Sequence, residues 1–133
     1  MSGIRLLLAA FAGGIAASMT DWLFMGDWLY KRFDRHPEIW RVSAQNETKA
    51  IIWASLLPFL TCGVFVLACV CLHLHSFGVD LSLALAVWLI APLPLIIANT
   101  LFMKISPAIA ISHALGWLVK LLIAGAAFAL IAG

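Results

Sequence analysis

The stretch AIIWASLLPFLTCGVFVLACVCLHL, residues 50–74, contains no lysine, arginine, aspartate or glutamate. A helix rises about 1.5 Å per residue, so crossing a hydrocarbon core roughly 30 Å thick takes about 20 mostly apolar residues. This stretch is long enough to cross. The same criterion marks three others, Leu6 to Tyr30, Leu81 to Met103 and Ala108 to Ile131, which leave little of the chain over.

The composition agrees: of 133 residues, 65% are hydrophobic and 11% charged, and the mean hydropathy is +1.09. That is far too apolar for an average water-soluble domain. The reading is therefore all-α: an integral membrane four-helix bundle with antiparallel up-down topology, forming a single membrane domain over residues 1–133 with the lipid bilayer as its solvent. Leu6 to Ala17 behind Arg5 resembles the apolar part of a secretory leader. The apolar pattern continues through Trp22, Leu23, Phe24 and Trp28, however, which predicts a retained first helix.

Charge sets the expected orientation. Lys31, Arg32, Arg35, Arg41 and Lys49 lie between the first two spans, and Lys104 lies between the last two. The positive-inside rule places both connections in the cytoplasm and both termini outside, where Arg5 stands alone. The net charge of +2 is a topology signal with no nucleic-acid footprint. On that topology, the sequon Asn46-Glu47-Thr48 faces the wrong side for glycosylation. In the first connection, residues 31–49, Pro37 is placed to open a short helix behind Asp34 or His36, with Ile39, Trp40 and Val42 dipping into the interface.

Three prolines fall inside spans. Pro58, Pro92 and Pro94 each remove a helical hydrogen bond, so each marks either a packing kink or, around Ala91-Pro92-Leu93-Pro94, a broken helix beside a cavity. The short link Ile105-Ser106-Pro107 makes the last two spans an antiparallel hairpin. Trp22, Trp28, Trp40, Trp53, Trp88 and Trp117 include interfacial anchors and require no cofactor, and none is expected.

Asp21 is the most informative residue, because a carboxylate within a spanning helix costs at least about 2.5–3.5 kcal/mol. It must face protein. Ala10, Gly14, Ala17 and Ser18 form a stripe of small residues on its side of the helix, the pattern that permits close helix packing. On span four, Ala110, His113, Gly116, Lys120, Ala124 and Ala127 share a face. These two faces predict a buried polar cluster of Asp21, His113 and Asn99, with Lys120 as a second partner for the carboxylate or snorkelling outward. The cluster is either a structural lock on helix register or a proton, ion or solute site.

Cys69, Cys71, His73 and His75 offer soft-metal ligands. At helical spacing Cys69 pairs with His73 and Cys71 with His75, with Asp80 or a second subunit completing a site. An ordinary packing role for these residues ranks above a metal site, since cysteine behaves as a small apolar residue in such helices. Cys62 makes the cysteine count odd, so no disulfide framework is implied. Asp27, Asp34 and Glu38 as a Mg²⁺ site rank lower still, below solvated charges balancing Lys31, Arg32 and Arg35.

At Thr20-Asp21-Trp22-Leu23-Phe24-Met25-Gly26, at Asn99-Thr100-Leu101-Phe102 and at Ser112-His113-Ala114-Leu115-Gly116-Trp117, the chain resembles a family of small bacterial four-helix membrane proteins that carries only a domain-of-unknown-function label. Asn99, Phe102, Gly116 and Trp117 match its outline, and His113 stands where the family has a smaller amide residue. The resemblance implies four spans and a bacterial inner-membrane location, and it supplies no activity.

Soluble-enzyme signatures such as phosphate loops, nucleophile elbows or dinucleotide fingerprints are absent from the sequence. Three function classes follow. A transporter, oligomeric because four short helices enclose little space, would use Asp21 and His113. An accessory subunit would use the same groups as a lock and the face from Gly14 to Ser18 to dock a membrane-protein partner. A lipid-modifying enzyme would need the cytoplasmic carboxylates, and it ranks last.

Overall fold

Small and aliphatic residues from Gly3 onward form helix α1 (Gly3–Asp21), which passes directly into a π-helical segment, Trp22–Tyr30, and then a short turn, α2 (Lys31–Phe33), in a computed structural model that describes residues 2–33, 44–74 and 76–133. The remaining elements are α3 (Ala44–Cys71), α4 (Phe77–Ile90), α5 (Pro92–Phe102) and α6 (Pro107–Ala127), the last continuing as a second π-helical segment, Phe128–Ala132. No strand occurs among the described residues.

Four helical stretches are long and apolar enough to cross a membrane: Gly3–Leu29, Thr48–Cys71, Phe77–Phe102 and Pro107–Ala132. Their outer faces carry exposed Leu7, Phe11, Met19, Trp22, Ile52, Trp53, Leu56, Leu60, Leu67, Ile90, Leu101 and Leu130. An apolar exterior that continuous has no stable place in water. The chain is a four-helix membrane protein.

The predicted spans match these stretches to within a few residues, with two instructive differences. Helix α3 begins at Ala44, inside the segment that charge pattern assigns to a loop, because hydropathy reports only the lipid-matched part of a helix and not its extension into water. The π-helical turn after Asp21 was also invisible, since apolar content says nothing about which carbonyl an N–H chooses. The expected interfacial helix around Pro37, with Asp34, His36, Ile39, Trp40 and Val42, lies outside the described residues.

Helix α6 is the hub. It touches α1, α3, α4 and α5, whereas α3 and the α4–α5 pair scarcely meet among the described residues. A core of Ala9, Ala17, Cys62, Phe65, Val66, Cys69, Ala84, Leu121, Ala124 and Phe128 fills the space between the helices. Gly13 approaches Cys62 and Ala127, Gly14 lies under the Phe59 ring, and the Ser18 hydroxyl donates to the Ser55 carbonyl at 3.1 Å. Along α1 and α3, and again along α1 and α6, contacting residues run in opposite chain order. Within the chain, Gly14 and Ser18 of the small-residue stripe both face α3.

Prolines 58 and 92 act differently. Pro58 sits within a continuous α3, where it is fully buried. At Ala91 (φ −124°, ψ −75°) the third span breaks, and Pro92 restarts it at the first helical position, where a missing N–H costs nothing. The interruption is confined to Ala91, and the two halves together keep the length of one span, Phe77–Phe102. Trp88, just before the break, donates its indole N–H to the Ala114 carbonyl at 2.8 Å and ties α4 to α6.

Helix α3 closes with a Schellman cap. The Leu74 N–H bonds to the Cys69 carbonyl and the His73 N–H to the Val70 carbonyl, both at 3.0 Å, with His73 at φ 53°. A left-handed residue carrying a Cβ is disfavoured by about 1–2 kcal/mol. His73→Gly should therefore raise stability by about 0.5–1 kcal/mol, read as a higher midpoint of unfolding in detergent. Gly14→Ala should do the opposite. A Cβ there would fall within the Phe59 ring, so the α1–α3 interface must shift, at an expected cost of about 1–3 kcal/mol in the same assay.

Candidate functional site

In a bundle with few polar side chains, each buried one must find a partner inside the protein. Lys120 is 8% exposed, and its ammonium lies 2.6 Å from Asp21 Oδ2 on the facing helix, itself 22% exposed. The same ammonium sits 4.5 Å from the centre of the Trp117 ring, one turn back along α6. Lys120 is thus neutralised on one side and faces an aromatic quadrupole on the other. Its long stem does not snorkel outward. One turn deeper along the first span, the buried Ser112 hydroxyl donates to the Phe24 carbonyl at 3.0 Å, within the π-helical segment that begins just after Asp21.

The expected cluster is therefore reordered. Lys120 takes the place next to Asp21 that the sequence reading gave first to His113. The long Lys120 side chain brings its ammonium to the carboxylate, whereas His113 lies seven residues earlier on α6, about 10.5 Å from Lys120 along the helix at 1.5 Å per residue. His113 still feels both members of the pair electrostatically. Gly116, between them, lies beside Phe24 with room for one methyl group, as a small residue on a packing face should.

His113 opens instead into a cleft of about 670 Å³ between α5 and α6. Asn99, Thr100, Lys104 and Ser106 line it with His113, and Ile96, Ile105, Ile109 and Ala110 supply its apolar wall. Thr100 turns its hydroxyl proton back to the Ile96 carbonyl at 2.7 Å, which leaves its oxygen as an acceptor. Ser106 precedes α6 and makes no side-chain capping bond to it. Asn99 and His113, grouped from the sequence as neighbours of Asp21, do share a site, but that site is the cleft. Trp117, Ser112, Thr100, Lys104 and Ser106 were not singled out as site residues. Trp117 and Ser112 carried a legible signal, since they stand three and eight residues before Lys120 on neighbouring parts of its face.

Among the described residues, the proposed metal ligands do not converge. Helix α3 ends at Cys71 and His73 lies in the left-handed cap, so the helical spacing that would pair Cys69 with His73 is broken. Cys69 is buried and Cys71 exposed. His75, needed for the Cys71 pair, lies outside the described residues. Among the described residues no three histidine, cysteine, aspartate or glutamate side chains are grouped to hold a metal ion. Asp80 is fully buried at the start of α4, where its backbone lies against Gly125. Asp27 forms an ion pair with Lys31 one turn on, and the other two residues of the Mg²⁺ reading, Asp34 and Glu38, lie outside the described residues.

Searches against protein-family models, curated proteins and solved structures found no match to this chain.

The ion pair makes a quantitative prediction. Removing one member of a buried pair strands the other charge, at a cost of about 3–5 kcal/mol. Lys120→Met should lose stability on that scale, and Asp21→Asn should lose less, because Trp117 still faces the ammonium. The double variant should recover much of the loss, giving a coupling energy of at least about 1 kcal/mol in a double-mutant cycle of unfolding in detergent. Additive losses would show that the two groups do not act as a pair.

Proposed function

We propose that the protein is a multi-pass membrane transport or permeation protein, with the polar cleft between α5 and α6 as its solute-access site. The observation that carries this reading is the cleft itself. In a chain whose exterior is apolar, five polar side chains from the end of one span, the link and the start of the next line a single cavity. Intramembrane ionisable groups concentrate where solutes or protons move. The break at Ala91 adds support, since discontinuous helices border binding sites in many transporters.

The positive-inside rule orients the cleft toward the cytoplasm, because Lys104 and the basic residues between the first two spans belong on that side. Both termini then lie outside. The resemblance carried by Asn99, Phe102, Gly116 and Trp117 favours a bacterial inner membrane. Four helices enclose little room, so a homo-oligomer fits a transport role better than a monomer.

A second reading rests on the ion pair. A salt bridge closed at 2.6 Å and faced by Trp117 suits a fixed lock on helix register, as an accessory subunit of a membrane complex would need.

Proteoliposomes separate the two. Wild-type protein should dissipate a pH gradient or take up small labelled solutes, whereas His113→Ala and Asn99→Ala, shown to be folded by circular dichroism and gel filtration, should fall to the level of empty liposomes. Wild-type protein that passes neither protons nor solutes, with Asp21→Asn losing only stability, would reject transport in favour of the lock.

A further inference from the structure

We infer that the α5–α6 cleft binds an oxyanion, a carboxylate or phosphate group carried on a small or amphiphilic molecule. The inference rests on the reading of this cleft as a solute site and assigns the chemical class of its ligand.

The charge balance of the lining leads to that class. Among the described residues, the ionisable side chains lining the cleft are Lys104 and His113, with no aspartate or glutamate. Asp21, the carboxylate on the facing helix, is already neutralised by Lys120 at 2.6 Å. A cation entering the cleft would meet Lys104 with no carboxylate among the described lining residues to receive it, whereas an anion would meet complementary charge. A concave, low-dielectric wall of one sign concentrates that field.

The hydrogen-bonding inventory agrees. Asn99 brings two N–H donors, Ser106 a hydroxyl not used in capping α6, and Lys104 three donors, so donors dominate the polar lining. A carboxylate or phosphate oxygen accepts from all of these, and charge-assisted bonds of that kind are roughly twice as strong as neutral ones. Ile96, Ile105 and Ile109 then contact the apolar remainder of the ligand. At about 670 Å³ the cleft has room for more than the charged group alone.

Two sources supply this chemistry, a free organic or inorganic oxyanion and the phosphate of a membrane lipid. Full-length protein in non-ionic detergent can be titrated calorimetrically with hexanoate, with inorganic phosphate, with short-chain phosphatidylglycerol, and with hexylammonium as a cation of hexanoate's size. Saturable binding of at least one oxyanion and none of hexylammonium is expected. Lys104→Gln, at an exposed position that should not disturb folding, and Asn99→Ala should each weaken that binding about tenfold, the loss expected for one charge-assisted contact. Binding of phosphatidylglycerol alone would make a lipid headgroup the source. Binding of hexanoate or phosphate would make it a free anion.

Hexylammonium binding as tightly as hexanoate, or affinities unchanged in both variants, would overturn the assignment. Oxyanion binding without flux in proteoliposomes would sink the transport reading and leave the site standing. Flux together with cation-selective binding would do the reverse.

Discussion

A charged lysine inside four apolar helices must be neutralised where it stands, and much of this structure follows from how Lys120 is accommodated. Its carboxylate partner sits on the first span, so α1 and α6 must pack closely enough for the two side chains to meet. Close packing in turn needs small residues along the seam, and Gly13, beside Ala127, and Gly116, beside Phe24, supply them. Trp117 covers the remaining side of the ammonium, and Ser112 ties the next turn to the Phe24 carbonyl. Glycine in these helices thus forgoes helix propensity for approach distance, a sound exchange where lipid offers helices no hydrophobic reason to associate.

The four spans were legible because lipid demands an unbroken apolar length, and hydropathy reads that demand directly. The packing stripe at Gly14, Ala17 and Ser18 was legible for a similar reason, since small residues at spacings of three and four have few other uses. The partner of Asp21 was harder to read. Helical periodicity places His113 and Lys120 on one face with equal weight, and only the axial register between α1 and α6 chooses between them. That register depends on many packing contacts and is not local to any motif. The cleft was harder still, because it combines Asn99 and Thr100 near the end of one span, Lys104 and Ser106 in a link, and His113 near the start of the next.

At the end of α3, four soft ligands alternate from Cys69 to His75, and the metal reading, ranked below ordinary packing, paired them on the assumption that the helix continued. The Schellman cap ends it at Cys71 and turns His73 through a left-handed conformation more typical of glycine. The break at Ala91 was better marked, because the proline restarting α5 has no N–H to contribute to the helix before it.

The contact pattern around α6 has a mechanical consequence. With α1 and α3 on one side, α4 and α5 on the other, and little direct contact between the two groups, the molecule is two leaves bound along one spine. Among the described contacts, the least packed coordinate is rotation of the leaves about α6. A fissure of about 480 Å³, walled by Leu60 and Val64 on one leaf and by Val87 and Pro92 on the other, with Trp117 at its floor, lies along that coordinate. The Asp21–Lys120 bridge joins the first leaf to the spine, while the polar cleft lies between the spine and the second. Swinging the second leaf therefore changes the shape of the cleft and leaves the buried charges paired.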